Sequence, residues 1–177
     1  MGRDKGEIAV NSAGEIVPLR VRQLRILESL GPEELIYSSS TRVDGLPSAK
    51  IILDQWPDAG PLSGIASCLE QMTSALLLCL AVDVAYIEVP TLLKLLGKCR
   101  ADQGIVPRIG DRYEPLVAVY PKRALSLAIS QIAERHLRLQ DFVRRLVIEH
   151  LVTEYLVLDE EIPLFANWNA PEDIAWH

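Results

Sequence analysis

The run ALLLCLAV, residues 75–82, holds eight apolar residues without a polar break and stops at Asp83. A strand that buries one face alternates apolar with polar, so an unbroken run of this length predicts a strand covered on both faces, as when helices flank a parallel sheet. It is far too short to span a bilayer. The rest of the chain has the means to cover it: 49% of the 177 residues are hydrophobic and 24% charged. That balance excludes bulk disorder, and a chain of this length buries about two-thirds of its unfolded surface without help from disulfides.

The flanking segments supply the covers. PLRVRQLRILESLG, starting at Pro18, sets Val21, Leu24, Leu27 and Leu30 at helical spacing with Gly31 as a stop, leaving Arg20, Arg22 and Arg25 on the more exposed faces. ELIYSSS and AKIILD read as short strands ending in polar groups. QWPDAGPLSG then imposes a turn, with Gly60 and Gly64 permitting close backbone approach, before a helix carrying Leu62, Ile65, Leu69 and Met72. Beyond Asp83 the pattern predicts a helix from Pro90 to about Cys99, a weaker strand QGIVPR with a hairpin-like turn at Gly110 and Asp111, and a strand EPLVAVY. Helices from Lys122 to about Glu134 and Leu139 to about Glu149, a strand near EYLVLD and a short terminal helix capped by Asn169 complete the chain. No linker or internal repeat divides it. The alternation predicts one α/β domain over residues 1–177 with a mostly parallel sheet and ligands beyond the C-terminal strand ends.

Charge and the reactive residues narrow the function. The 24 acidic residues against 18 Lys and Arg give a formal charge of −6, which disfavours a nucleic-acid track and leaves room for a local phosphate pocket. Cys68, Cys79 and Cys99 are widely spaced among apolar neighbours, so neither a disulfide framework nor a zinc cluster is indicated and a reducing cytoplasm is expected. The polar opening MGRDKGE is unlike a signal peptide, and no membrane segment is expected. His136 and His150 lack a paired metal-ligand spacing and His177 is terminal, which argues against a histidine-based site; His150 is read as a partly buried helix-end residue.

Asp83 is the strongest candidate, because a carboxylate directly after a central strand emerges where α/β folds place ligands. There it would hold Mg²⁺ against phosphate oxygens, or simply cap a turn. Asp54 ends another strand before the Pro/Gly-rich turn and would accept hydrogen bonds from a base or ribose, or serve structure alone. Lys5 would neutralise phosphate as a flexible point charge, or be merely solvated. Arg135, Arg138, Arg144 and Arg145 either receive a phosphorylated substrate or form a charged outer helix face, and Trp56 is a candidate border of an aromatic-ligand pocket.

MGRDK at the start, D-QWPDAGPLSG at 54–64, LCLAVD at 78–83, EPLVAVY at 114–120 and FANWNAPED at 165–173 together resemble the molybdenum cofactor guanylyltransferase family of MobA-like nucleotidyltransferases, in family order and over essentially the whole chain. The resemblance implies a single-domain, three-layer, Rossmann-like fold of the GT-A-like kind, and an Mg²⁺-dependent enzyme that joins the GMP part of GTP to molybdopterin, or its molybdenum-bearing form, with loss of pyrophosphate. By that likeness Lys5 engages the nucleotide phosphates, Asp54 the guanosine and Asp83 the metal, while Asn167 and Asn169 lie near the pterin. Transient contact with cofactor-synthesis proteins or molybdoenzymes would follow. The alternatives are a related cytidylyl- or sugar nucleotidyltransferase and a non-catalytic, partner-binding homologue.

Three departures from the family pattern carry expectations of their own. Family members have, ahead of the part matched by MGRDK, a strand near the middle of the sheet and a Gly-rich loop that holds the GTP phosphates. The chain is therefore expected to be an N-terminally truncated form of the domain, with unpaired backbone and an apolar channel where that strand would lie. VDVAY stands where the family usually has Met and Pro after the acidic residue, so Asp83 is expected to be held less rigidly. Ser38 stands where an Asn assists guanine recognition, and a hydroxyl lacks an amide's separate donor and acceptor arms.

Overall fold

The computed structural model describes residues 5–12, 14–43, 45–46 and 48–168. A 3-10 turn at Lys5–Glu7 leads into an antiparallel hairpin of β1 (Ala9–Ser12) and β2 (Glu15–Pro18). The polar opening of the sequence conceals this hairpin; its inward residues Val10 and Val17 pack with Leu19 and Ala85 in a small core of their own. Pro18 ends β2 and caps α1 (Leu19–Glu28), where its fixed φ and missing N–H cost nothing. Strands β3 (Ile36–Ser39) and β4 (Lys50–Leu53) pair parallel, Ile36 opposite Lys50 through Ser39 opposite Leu53.

Gly60, at φ 58°, turns the chain into α2 (Pro61–Gln71), which is buried along most of its length. After it come β5 (Leu76–Leu80), α3 (Val89–Leu96), β6 (Gly104–Ile109), β7 (Arg112–Tyr113) and β8 (Val117–Pro121). Then follow α4 (Ala124–Ala133), α5 (Leu139–Ile148), β9 (Val152–Leu156) and a 3-10 segment at Asp159–Phe165. The expected terminal helix capped by Asn169 lies outside the described residues. Among those described, no helix is long and apolar enough to cross a membrane.

The larger sheet runs β5-β8-β6-β7, with β9 on β6. Its pairings correct the expectation of a mostly parallel sheet: β5 with β8, β8 with β6 and β6 with β7 are antiparallel, and β6 with β9 is parallel. The cause is local. Gly110, at φ 56°, reverses the chain from β6 into β7, and the short 114–116 link brings β8 back beside β6; parallel neighbours need a long crossover, which precedes β9 in the form of α4 and α5. Because β5 and β6 each oppose β8, they share a direction with β9, and β7 and β8 run against them.

Helices cover both faces of β5, as its unbroken apolar run requires. Leu77 and Cys79 pack towards the core built by α2, α4 and α5, while Leu76, Leu78 and Leu80 pack towards α1 and α3. Every residue of β5 is nonetheless only half-buried, as is every residue of β3. Among the described residues β3 pairs with β4 and β5 with β8, so the edges that β3 and β5 turn towards each other carry no strand. Two cavities of about 430 and 260 Å³ occupy this seam, both lined by Ile36 of β3 and by Leu77 and Leu78 of β5. Two further expectations are corrected. Trp56 packs against the α2 core and lines neither cavity, and His150 is exposed, standing at φ 57° where α5 ends.

Candidate active site

The C-terminal ends of β3, β4 and β5 open into one crevice, the smaller seam cavity, lined by Ser38, Asp54, Ala81 and Val82. Ser38 Oγ donates to Asp54 Oδ1, so the two polar strand ends form a pair. Gly64 of α2 lets the helix pass close to them: a Cβ there would lie a tight 3.1 Å from Ser38 Oγ and at an ordinary contact distance of 3.6 Å from Asp54 Oδ1. Buried serines of the same helix fix the loop after Asp54. Ser67 Oγ accepts from the Gln55 amide (2.9 Å) and Ser63 Oγ from the Trp56 amide (3.1 Å). Glycine for room and serine for tethering together explain why the turn at 54–64 leads into PLSGIAS.

Asp83 stands just beyond Val82, at the lip of this crevice. Its carboxylate meets Lys5 Nζ at 2.8 Å, which brings together two of the charged groups singled out in the sequence, 78 residues apart. The pair is part-exposed and contributes little stability, so it can be broken at small cost. The turn carrying Asp83 is held from three sides. Gln23, 3% exposed on α1, donates Nε2 to the Val84 carbonyl (2.8 Å) and lies 3.3 and 3.4 Å from the carbonyls of Ala81 and Val82. The Trp168 amide donates to the Asp83 carbonyl (2.8 Å), and Val84 and Ala85 are buried. The loosening expected from the missing proline is thus met by a buried amide and a C-terminal strap.

A second cleft, of about 500 Å³, opens on the other side of this turn, lined by Val84, Leu116, Arg138 and Asn167. Leu116 lines both clefts, and Asp83 falls between Val82 of the first and Val84 of the second. Asn167 therefore sits apart from Ser38 and Asp54, in the second cleft; Asn169 lies outside the described residues. Arg20 is a lining residue that helical periodicity assigned to an exposed face. Its guanidinium pairs with Glu7, its side chain is 13% exposed, and its Nε is buried in the first cleft without a hydrogen-bond partner among the described residues.

The thiols of that cleft are not nucleophiles. Burial pushes Cys79 up to about 12 and Cys68 up to about 11, the Asp54 charge adding to the latter, so both stay protonated at neutral pH. Among the described residues no three His, Cys, Asp or Glu side chains cluster as a metal cage. Mg²⁺ needs no such cage, since it keeps several waters and takes one or two carboxylates plus phosphate oxygens.

A family model described as the MobA-like NTP transferase domain matches residues 1–151. A relative from Opitutus terrae, named a probable molybdenum cofactor guanylyltransferase, is 33% identical over 177 residues, covering 98% of this chain and 86% of its own. A Bacillus subtilis protein of the same name is 28% identical over 154 residues, covering 84% and 76%. Among solved structures, the molybdopterin-guanine dinucleotide biosynthesis protein A of Archaeoglobus fulgidus superposes with a TM-score of 0.71 at 22% identity, over 97% of this chain and 87% of that one. The 2-C-methyl-D-erythritol 4-phosphate cytidylyltransferase of Thermus thermophilus gives 0.64 at 12%, over 88% and 85%. At these identities the two structures show a shared Rossmann-like α/β fold.

Proposed function

The chain belongs to the MobA-like NTP transferase family, and from that premise we propose that it transfers the GMP part of GTP to molybdopterin, or its molybdenum-bearing form, releasing pyrophosphate. The observation that carries the reading is the position of Asp83 between two clefts that share Leu116. A transfer between two large substrates needs a donor site and an acceptor site meeting at the reacting phosphorus, and needs positioning and charge neutralisation more than a covalent nucleophile. The protonated thiols and the scattered histidines agree with that demand.

In this reading the guanosine lies in the first cleft, with the Asp54 carboxylate accepting from its N–H or O–H groups while Ser38 holds that carboxylate in place. Lys5 swings from Asp83 to the phosphates as the nucleotide enters. Mg²⁺ bound at Asp83 would supply charge neutralisation at the phosphate oxygens. The acceptor, in the second cleft beside Asn167, presents its terminal phosphate to the α-phosphorus in line with departing pyrophosphate. One more apolar strand in the seam between β3 and β5, followed by a Gly-rich loop ahead of Lys5, would complete the phosphate site; the empty strand edges support this. The proposed setting is the cytoplasm, with transient handover to cofactor-synthesis proteins or molybdoenzymes.

Asp83→Asn preserves shape and removes the charge. Pyrophosphate release from Mg-GTP plus molybdopterin should fall by about 10²-fold or more, the scale seen when one transition-state electrostatic partner is lost. The melting temperature should stay near that of the parent. Unchanged turnover removes Asp83 from the role, and Mg-CTP serving as well as Mg-GTP favours a cytidylyl donor.

A further inference from the structure

The second cleft contains a carboxylate that the fold itself does not use. Glu114, in the link between β7 and β8, lines this cleft together with Arg112, Arg138 and Arg144. Its backbone is anchored on all sides. The Glu114 amide donates to the Pro107 carbonyl (2.8 Å), and the Glu114 carbonyl accepts from the Val117 amide (3.2 Å). Next to it, Gln140 of α5 accepts from the Tyr113 amide (3.1 Å) and donates to the Tyr113 carbonyl (2.8 Å), while the Tyr120 hydroxyl donates to the Pro115 carbonyl (2.6 Å). The side chain, half-buried on this fixed mount, accepts no hydrogen bond from the described residues. Partial burial raises its carboxyl above the ordinary value, with the Arg112 charge opposing. A half-dehydrated carboxylate without donors destabilises a fold unless a ligand supplies them.

We propose that Glu114 is a specificity residue of the acceptor site, accepting two parallel hydrogen bonds from the 2-amino and N3–H groups of a 2-amino-4-oxo pterin ring. This rests on the reading of the second cleft as the acceptor site. An ionised carboxylate is an acceptor only, and the paired N–H donors of that ring edge match its two oxygens as a guanidinium does. Arg144 is paired with Asp141 of the same cleft (2.9 Å), and Arg112 and Arg138 leave the lining net positive, as suits an anionic acceptor.

The test uses two probes on the full chain, 6-hydroxymethylpterin and 6-hydroxymethyllumazine, which differ at position 2 by amino against oxo. Affinities are read by fluorescence titration, with Mg-GTP and Mg-ITP titrated in parallel. The parent should bind the pterin at least about tenfold more tightly than the lumazine, because the 2-oxo group faces the carboxylate with a second acceptor. Glu114→Gln, whose amide can also donate, should bring that ratio close to one and leave the GTP to ITP ratio unchanged. Glu114→Ala should weaken the pterin and abolish the discrimination. Equal affinity of the parent for both probes, no pterin binding, or a ratio untouched by either variant overturns the assignment. So does a shift confined to GTP against ITP, since guanine offers the same edge and would then be the ring that Glu114 reads. Failure of the parent to bind Mg-GTP would count against the guanylyl donor reading and leave the pterin ratio to be judged separately.

Discussion

Gln23 shows what a single residue does for this site. Its amide faces three carbonyls of the turn that presents Asp83, from a position where a helix normally buries an aliphatic side chain. Gln23→Leu keeps the volume and removes the donor, leaving the Val84 carbonyl buried without a partner. The cost should be about 1–3 kcal/mol, or a fall of roughly 5 °C in melting temperature. If Gln23 positions Asp83, kcat for pyrophosphate release should drop more than KM for GTP rises; a melting change with kinetics intact would reduce Gln23 to a packing residue. Asp54 and Asp83 are visible in the sequence because each is the first charge after an apolar strand, and Lys5 and Asn167 because their segments resemble a family. Gln23 and Arg20 are not, because periodicity tells which residues share a helix face and not what lies against it. The hairpin that carries Glu7 to Arg20 is assembled from a polar stretch whose alternation over 8–18 is short and weak.

At the scale of elements, the junction between β6 and β8 is a close approach of two backbones. The two strands meet with Ile105 opposite Val119, and the backbone of Gly104 lies so close that a Cβ there would sit 1.9 Å from the Val119 carbonyl oxygen. Gly104→Ala must force the strands apart, and a loss of about 3 kcal/mol or more, read as a lower urea midpoint, is expected. A neutral result would mean that the two strands separate freely at that point. Glu34 ties another junction. The Thr73 hydroxyl (2.7 Å), the Thr73 amide and the Ser74 amide (3.1 Å) all donate to its carboxylate, linking the approach to β3 with the approach to β5. The Thr73 hydroxyl foremost, these donors hold the Glu34 carboxyl below its ordinary value of 4.5. A folded value below the unfolded one gives stability that is complete above the unfolded value and disappears as pH falls through the folded one. Urea midpoints measured from about pH 5 down to about pH 3 should therefore fall more steeply for the parent than for Glu34→Gln. Parallel profiles would show that the link does not depend on charge. The positions of nearly all these elements could be read from periodicity and punctuation. Strand direction could not, since an apolar run such as 76–80 is equally content beside a parallel or an antiparallel neighbour once helices cover both faces. The Gly110 reversal is the sequence signal that explains the antiparallel outcome.

For the molecule as a whole, the seam between β3 and β5 decides how much of the domain's stability is realised. Strands in a sheet stand about 4.8 Å apart, so one further strand between these edges would pair with both and convert two half-buried strands into interior ones. Its side chains would enter the 430 Å³ cavity, whose walls are largely leucine and isoleucine, and the Ile36, Leu77 and Leu78 end of the 260 Å³ cavity, leaving the Ser38 and Asp54 end open, so its faces must be mainly apolar. Lys5 lies at the C-terminal mouth of this seam beside Asp83, so polypeptide running parallel to β5 and leaving the seam at that mouth would emerge beside Lys5. A form of the protein extended ahead of Met1 by an apolar strand and a Gly-rich link should gain a few kcal/mol from the buried area after its ordering entropy, raising the melting temperature by roughly 5–10 °C. It should also bind less of an apolar dye such as ANS than the 177-residue chain, whose seam cavities the added strand would fill. A matched extension with lysines at alternate strand positions controls for length, because charges on one face cannot enter a leucine-lined slot. Equal melting and dye binding for the apolar extension and the 177-residue chain would mean that the seam closes by movement of β3 and β4 instead, and that the phosphate site is completed without a strand between them.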